Sequence, residues 1–327
     1  MIEKILVSGA TGLIGYSFIQ HLLRLKEKEY SICIYGLIRN IDKAKQLYKE
    51  KYQDISFIVG DITDIDILET DFNYIIHAAS CTSSISFVSE PANVIMTNVS
   101  GTFRMLELAR KQKSLKRFVF LSTMEVYGTP STDQKITEEH ETNINTAEVR
   151  SCYPESKRLC ENLCIAYQSQ YAVPVNIMRL TQTFGPGVQY DDKRVFAEFA
   201  RCVIEKKDII LFTKGETKRS YLYTEDAAKA IMCVMKLGVP GEIYNVANEN
   251  TYCSIFEMAK MVAEKCANNS IRVIIKEKDT SDLGFASVLH MNLDVGKMKK
   301  LGWKAETGLE KMYINTIQYM ENVKFRK

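Results

Sequence analysis

Several things are scarce or missing in this chain of 327 residues, and each absence removes a class of protein. No stretch reaches the roughly 18 uninterrupted apolar residues that a membrane-spanning helix requires, so no membrane partner is expected. An excess of one charge is lacking as well. Against 43 Lys and Arg stand 40 Asp and Glu, and the net +3 gives no large positive field of the kind that gathers nucleic acid, so no nucleic-acid partner is expected either. A small anionic substrate needs only a local cluster and stays open. The nine cysteines are odd in number, form no CxxC pair and have no histidine at metal-ligand spacing, so neither a disulfide framework nor a metal site is expected. The opening MIEKILVSGATG carries no basic leader or cleavage site, from which a soluble, cytoplasmic protein is expected. Internal repeats and low-complexity tracts are absent.

What the chain does have is a rhythm. Ile5-Leu6-Val7 is a short apolar run closing on Ser8-Gly9, after which Ile14, Phe18, Ile19, Leu22 and Leu23 recur at helical spacing. Apolar runs return at Ile32–Ile38, Ile55–Val59, Tyr74–His77 and 118–121, with helical or loop segments between. Continuous apolar runs suit parallel strands buried on both faces, and their alternation with helices implies right-handed βαβ crossovers. Two amphipathic stretches, 93–111 and 153–171, are expected to pack on the sheet, and Val175–Leu180 to add a strand. Past Phe184-Gly185-Pro186-Gly187 the rhythm weakens: a helix over Val195–Glu205, a strand over 209–212, a helix after Thr224, a strand over Ile243–Val246 and terminal helices. The expected class is α/β. A Rossmann-type doubly wound parallel sheet spans 1–180 and is completed around 223–247, with a smaller C-terminal α/β substrate lobe over 181–222 and 248–327.

The segment Gly9-Ala10-Thr11-Gly12-Leu13-Ile14-Gly15 ends the first strand and opens the first helix. Glycines there permit a tight turn and close approach of backbone N–H groups to a pyrophosphate, and the helix N-terminus favours negative charge. A glycine-rich turn without a ligand has the same composition; its placement favours a dinucleotide, NAD or NADP.

Tyr153-Pro154-Glu155-Ser156-Lys157 sets a phenol and an ammonium at i and i+4, on one face of a helix. A nearby ammonium favours the phenolate, so the tyrosine pKa is expected to fall toward the working pH and to suit proton transfer during hydride transfer. Tyr-x-x-x-Lys alone is common on surface helices. Its company raises its weight, because Leu121-Ser122-Thr123-Met124-Glu125-Val126-Tyr127-Gly128 stands at the C-terminal end of a parallel strand, the edge where open α/β sheets bind ligands.

Together with His77-Ala78-Ala79-Ser80, Asn98-Val99-Ser100-Gly101-Thr102 and Arg219-Ser220-Tyr221-Leu222-Tyr223-Thr224-Glu225-Asp226, these segments resemble the extended short-chain dehydrogenase/reductase family over essentially the whole chain. The resemblance implies an enzyme acting on a nucleotide-diphosphate-linked sugar, epimerase or dehydratase in type, through a transient 4-ketone; a net NADPH-dependent reductase of a keto sugar is the alternative. It assigns Thr123 to the reacting sugar oxygen, Tyr153 to acid/base chemistry and Lys157 to the tyrosine pKa and the nicotinamide ribose. Gly9, Thr11, Gly12, Leu13, Ile14, Gly15, Ala78 and Ala79 would line the cofactor, Asp61 and Ile62 its adenine. Arg39 replaces the acidic residue typical of NAD-binding members and suits a 2′-phosphate, although an exposed structural arginine would look the same; a capping role for Asp61 is equally open. Ser80, Gln182, Arg194 and Arg219 would meet the substrate, Arg219 its diphosphate, with Lys214 and Lys218 nearby. The two amphipathic stretches would pair subunits into a homodimer.

Thr123-Met124-Glu125 keeps the ends of the Thr-x-Glu pattern of family members that dehydrate or decarboxylate nucleotide hexoses, where Glu125 would take the acidified C5 proton; a pocket-lining carboxylate with no proton to move is the alternative reading. Met124 cannot supply the proton that an aspartate gives in one dehydratase type. The arginine expected of decarboxylases near the sugar carboxylate is missing from 285–292, and Gln182 stands where an asparagine is common.

Overall fold

The computed structural model describes residues 2–28, 30–65, 70–277 and 288–324. β1 (Glu3–Ser8) turns into α1 (Leu13–Lys26), and β2 (Ile32–Ile38), α2 (Ile41–Tyr48), β3 (Ile55–Val59), β4 (Tyr74–His77), α3 (Ser86–Ser89), α4 (Pro91–Arg110), β5 (Arg117–Thr123), α5 (Cys152–Tyr171) and β6 (Val175–Leu180) follow. The second part holds β7 (Gln182–Phe184), α6 (Val195–Glu205), β8 (Ile209–Leu211), β9 (Lys218–Tyr223), α7 (Thr224–Leu237), β10 (Ile243–Val246), β11 (Asn248–Ser254), α8 (Ile255–Met261), β12 (Val273–Ile275), β13 (His290–Met291), α9 (Gly296–Lys300) and α10 (Leu309–Lys324).

Seven strands form one sheet in the order β10-β6-β5-β4-β1-β2-β3, every neighbouring pair parallel. The unbroken apolar runs follow from its two covered faces. Along β1, Ile5 and Val7 pack with Phe18, Ile19 and Leu22 of α1 and Ile231 and Val234 of α7, while Leu6 between them joins Leu106 of α4 and Cys160 and Cys164 of α5. The chain runs outward from β1 through β2 to β3, then crosses back to β4. The strand order therefore reverses at β1/β4, the position where sheets of this kind open a crevice at their C-terminal edge.

A second apolar core, with Phe184, Phe196, Phe199, Tyr221 and Tyr313, underlies the C-terminal part. Its sheets are small and mixed: β11, β9 and β13 with β7 joined to β9, and a separate β8/β12 pair. Of these strands only β8 was legible as an apolar run, and it ends one residue before the expected 209–212. The others are short or polar, and β13 and β11 gain their strand character by pairing with β9.

Candidate active site

The glycine turn is shaped from behind by the end of β4. Gly9 has φ +68, a region natural to glycine, and a side chain there would bring its Cβ to 2.8 Å from the Ala79 backbone. His77 braces the same spot, its Nδ1 2.8 Å from Ser8 Oγ and its Nε2 3.1 Å from Thr102 Oγ1. Because the Thr102 hydroxyl donates to Asn98 O, His77 Nε2 must carry the proton given to Thr102, and Nδ1 accepts from Ser8. Burial, reinforced by the Lys157 charge, pushes this histidine down to about 3, so it stays neutral.

At the start of α1, Gly12 provides no side-chain cap and the first turn holds no acidic residue. The first N–H groups of a helix have no partner within it and can donate to an anion, and Thr11, Gly12, Leu13 and Ile14 line a cleft of about 1160 Å³. These features fit a dinucleotide pyrophosphate.

Across the cleft, β5 delivers Thr123, whose Oγ1 accepts from Glu125 N at 3.2 Å as the chain turns into a short 3₁₀ segment. Tyr153, in the first turn of α5, lines the cleft with Thr123 and is stacked on the Phe87 ring at 4.4 Å. Lys157 Nζ donates to Leu121 O at 2.8 Å and lies 4.7 Å from the centre of the Phe120 ring. Burial pulls this lysine down to about 8, opposed by Cys160, Glu161 and Cys164 beside it. The expected fall in the Tyr153 pKa does not occur in the protein alone. Burial raises it above the ordinary tyrosine value and the Glu125 charge adds to the rise, whereas the Lys157 ammonium is engaged by the Leu121 carbonyl.

Glu125 lies at the same end of the cleft, paired at 3.0 Å with Arg150, an arginine that the sequence reading passed over. Arg150 is three residues before Tyr153 and 5.7 Å from the Phe87 ring centre; its adjacency to the Tyr-Lys motif was the available signal. Phe87 and Lys43 also line the cleft without having been anticipated. Met124 is buried and accepts from Thr181 Oγ1 at 3.2 Å.

Ser80, Ala78, Gln182, Arg194 and Arg219 line the same cleft. Ser80 Oγ donates to Asn98 Oδ1 at 3.0 Å, and Arg194 pairs with Asp192 at 2.5 Å. The buried Nε of Arg219 has no hydrogen-bond partner among the described residues, which suits an anionic ligand. Gly9 lies within the turn, Gly15 in the first turn of α1, and Ala79 backs Gly9, none of the three in the cleft lining. Arg39, Asp61 and Ile62 are outside the cleft lining: Arg39 is exposed, Asp61 accepts from Thr63 N at 2.9 Å and Oγ1 at 2.7 Å, and Ile62 is buried against Gly101 of α4. Lys214 is exposed and Lys218 pairs with Asp133 at 3.1 Å, so Arg219 alone of that basic cluster lines the cleft. In the 285–292 segment, Phe285, Ala286 and Ser287 lie outside the described residues, Val288 lines the cleft and His290 Nδ1 is 3.1 Å from Asp133. Among the described residues no cluster of His, Cys, Asp or Glu could hold a metal ion, and no helix is long and apolar enough to cross a membrane.

Residues 5–247 match the family model described as the NAD dependent epimerase/dehydratase family. The chain is 30% identical over 307 residues to UDP-glucuronic acid decarboxylase 5 of Arabidopsis thaliana, covering 94% of this chain and 86% of that one. UDP-glucuronic acid decarboxylase 1 of Xenopus tropicalis is 27% identical, with 97% and 72% covered. Among solved structures, UDP-glucose 4-epimerase of Thermotoga maritima with UDP-glucose superposes with a TM-score of 0.82 at 23% identity, covering 98% of this chain and 99% of that one. UDP-glucuronic acid 4-epimerase of Bacillus cereus in complex with NAD gives 0.80 at 21%, with 98% and 99% covered.

Proposed function

The chain belongs to the NAD-dependent epimerase/dehydratase family, and from that premise we propose that it oxidises C4 of a hexose carried on a nucleoside diphosphate, passes through a 4-ketone and returns the hydride within the same cycle. The observation that carries this reading is the convergence of Thr123, Tyr153 and Lys157 at the end of β5, in one cleft with the uncapped start of α1. Bound NAD supplies the hydride acceptor, and its cationic oxidised ring favours the phenolate that burial opposes. Thr123 orients the sugar hydroxyl, Tyr153 takes its proton and later returns it, and Lys157 stabilises the phenolate. Arg219 and Arg194 meet the diphosphate. Glu125, paired with Arg150, would take the C5 proton that the ketone acidifies. NAD rather than NADP is favoured because the family whose model matches the chain is described as NAD dependent.

A second reading narrows the sugar. Arg150 puts a guanidinium beside Glu125 and the Phe87 ring on which Tyr153 stacks, where a hexuronic acid would present its carboxylate. The Arabidopsis and Xenopus relatives act on UDP-glucuronic acid by name, and such a substrate would leave as its C4 epimer or lose CO2. A homodimer is proposed through the outer faces of α4 and α5, which leave Ile95, Met96, Phe103 and Leu159 exposed.

The test incubates purified protein with UDP-glucose and with UDP-glucuronic acid, identifies products by mass spectrometry and follows cofactor absorbance. Product without net cofactor consumption is expected; one NADPH consumed per product would instead establish the net reductase. Tyr153→Phe should keep cofactor content and lose turnover by about 100-fold or more, the scale of positioned acid/base catalysis. Near-normal turnover in that variant would overturn the reading.

A further inference from the structure

Behind the reacting residues lies a buried ion pair that the chemistry above leaves unused. Arg179 of β6 faces Glu161 of α5 with Nη2 to Oε2 at 2.7 Å and Nε to Oε1 at 3.0 Å, the two side chains only 10% and 7% exposed. Arg179 Nη1 also donates to Tyr127 Oη at 2.9 Å and to Glu138 O at 3.0 Å. Ser122 Oγ donates to the same carboxylate at 2.5 Å. Burying two charges is costly, and apolar residues of similar volume are often as stabilising, so stability alone gives no reason for the pair to be ionic.

Its placement does. Glu161 stands one helical turn beyond Lys157 on α5, and Arg179 is the register partner of Ser122 across β6 and β5. Leu121 is tied to α5 through Lys157 Nζ, Ser122 through Glu161, and Thr123 follows directly. Apolar packing between a helix and a strand tolerates small slides; hydrogen bonds of fixed length and direction do not. We propose that Glu161 and Arg179 are positioning residues that lock α5 against β5 and β6 and thereby hold Lys157 and Thr123 in reacting geometry. The proposal rests on the roles assigned above to Thr123, Tyr153 and Lys157.

The groups around Lys157 are Tyr153, Cys160, Glu161 and Cys164 on its own helix, neutral His77 from β4, and the Phe120 ring and Leu121 carbonyl from β5, with Arg179 of β6 beyond Glu161. Glu161 is the carboxylate among the groups that raise the lysine pKa against burial. Replacing the pair therefore has a signature besides geometry, because Lys157 should lose its proton at lower pH.

The experiment compares wild type with Glu161→Leu/Arg179→Met, using UDP-glucuronic acid and UDP-glucose as probes. We expect the double variant to fold and keep its cofactor content, melting somewhat below wild type, since the buried charges leave together while Ser122 Oγ and the Glu138 carbonyl each lose a partner. Its kcat should fall by about 100-fold, the cost of a misplacement on the order of 1 Å. The alkaline limb of activity should move to lower pH, and the Lys157 13Cε resonance, assigned with Lys157→Met, should report the same move without substrate. A stable double variant with wild-type kcat and an unmoved lysine titration would overturn the proposal. If that variant fails to fold, Ser122→Ala leaves the pair intact and removes one tie; a drop in kcat of about threefold to tenfold supports the role, and unchanged kcat overturns it. Tyr153→Phe in the same assay separates the two ideas: full turnover there sinks the functional reading, whereas a dead Tyr153→Phe beside an active double variant sinks only the positioning role.

Discussion

Tyr153 and Lys157 share a helix face and are both nearly excluded from water, which acts on them in opposite directions: the phenol is pushed up and the ammonium down. The motif was legible because i and i+4 spacing is a local property of a helix. The direction of the tyrosine shift was not, since it depends on Phe87 and Glu125 arriving from other segments. Glu125 illustrates the same limit, as its partner Arg150 lies 25 residues away in sequence. If Glu125 removes the C5 proton, Glu125→Gln should still oxidise C4, seen as transient cofactor reduction near 340 nm, while solvent deuterium enters C5 about 100-fold more slowly. Undiminished deuterium entry would show that the carboxylate moves no proton.

The seven strands of the large sheet were readable as elements because each carries a largely apolar run, which burial on both faces favours in the inner strands, while the edge strand β3 is only partly buried. The mixed sheet around β9 escaped notice because its members are polar or short and become strands through partners far along the chain. Contacts between elements also determine pH behaviour. His77 joins β4 to β1 through Ser8 and to α4 through Thr102, and it stays neutral down to about 3. An unfolded histidine takes up its proton near 6.5. Between those values the unfolded chain binds more protons, so this contribution to stability is present above about 6.5 and is lost as pH falls toward 3, a change on the order of 5 kcal/mol. Urea melts at pH 7 and pH 4 should show His77→Asn less stable than wild type at pH 7, with a visibly smaller loss on acidification; an unchanged loss would place the acid sensitivity elsewhere.

At the scale of the molecule, α4 and α5 pack on each other and turn exposed apolar side chains outward. Phe103, 44% exposed, belongs to that surface. For the proposed homodimer we expect wild type to sediment as a dimer and Phe103→Arg as a monomer that still binds NAD, because a lone guanidinium buried across a two-fold axis meets its own copy. A wild type that sediments as a monomer, or an unaltered dimer in the variant, would rule out this face as the interface.

Period and short spacing are written along the chain, and they sufficed for the βα order and the glycine turn, while the roles proposed for Thr123, Tyr153 and Lys157 rest on the same intervals and on the cleft the three residues share. They sufficed too for membership of the NAD-dependent epimerase/dehydratase family, since its motifs are recognised by residue type and interval. Pairing and desolvation, in contrast, are properties of neighbours assembled from distant segments. That is why only the folded chain could join Arg150 to Glu125 and Arg179 to Glu161, leave Arg39 outside the cleft and drive the Tyr153 pKa upward. Local geometry repeats within a few residues, whereas an electrostatic environment exists only after β4, β5, β6 and α5 have closed around it.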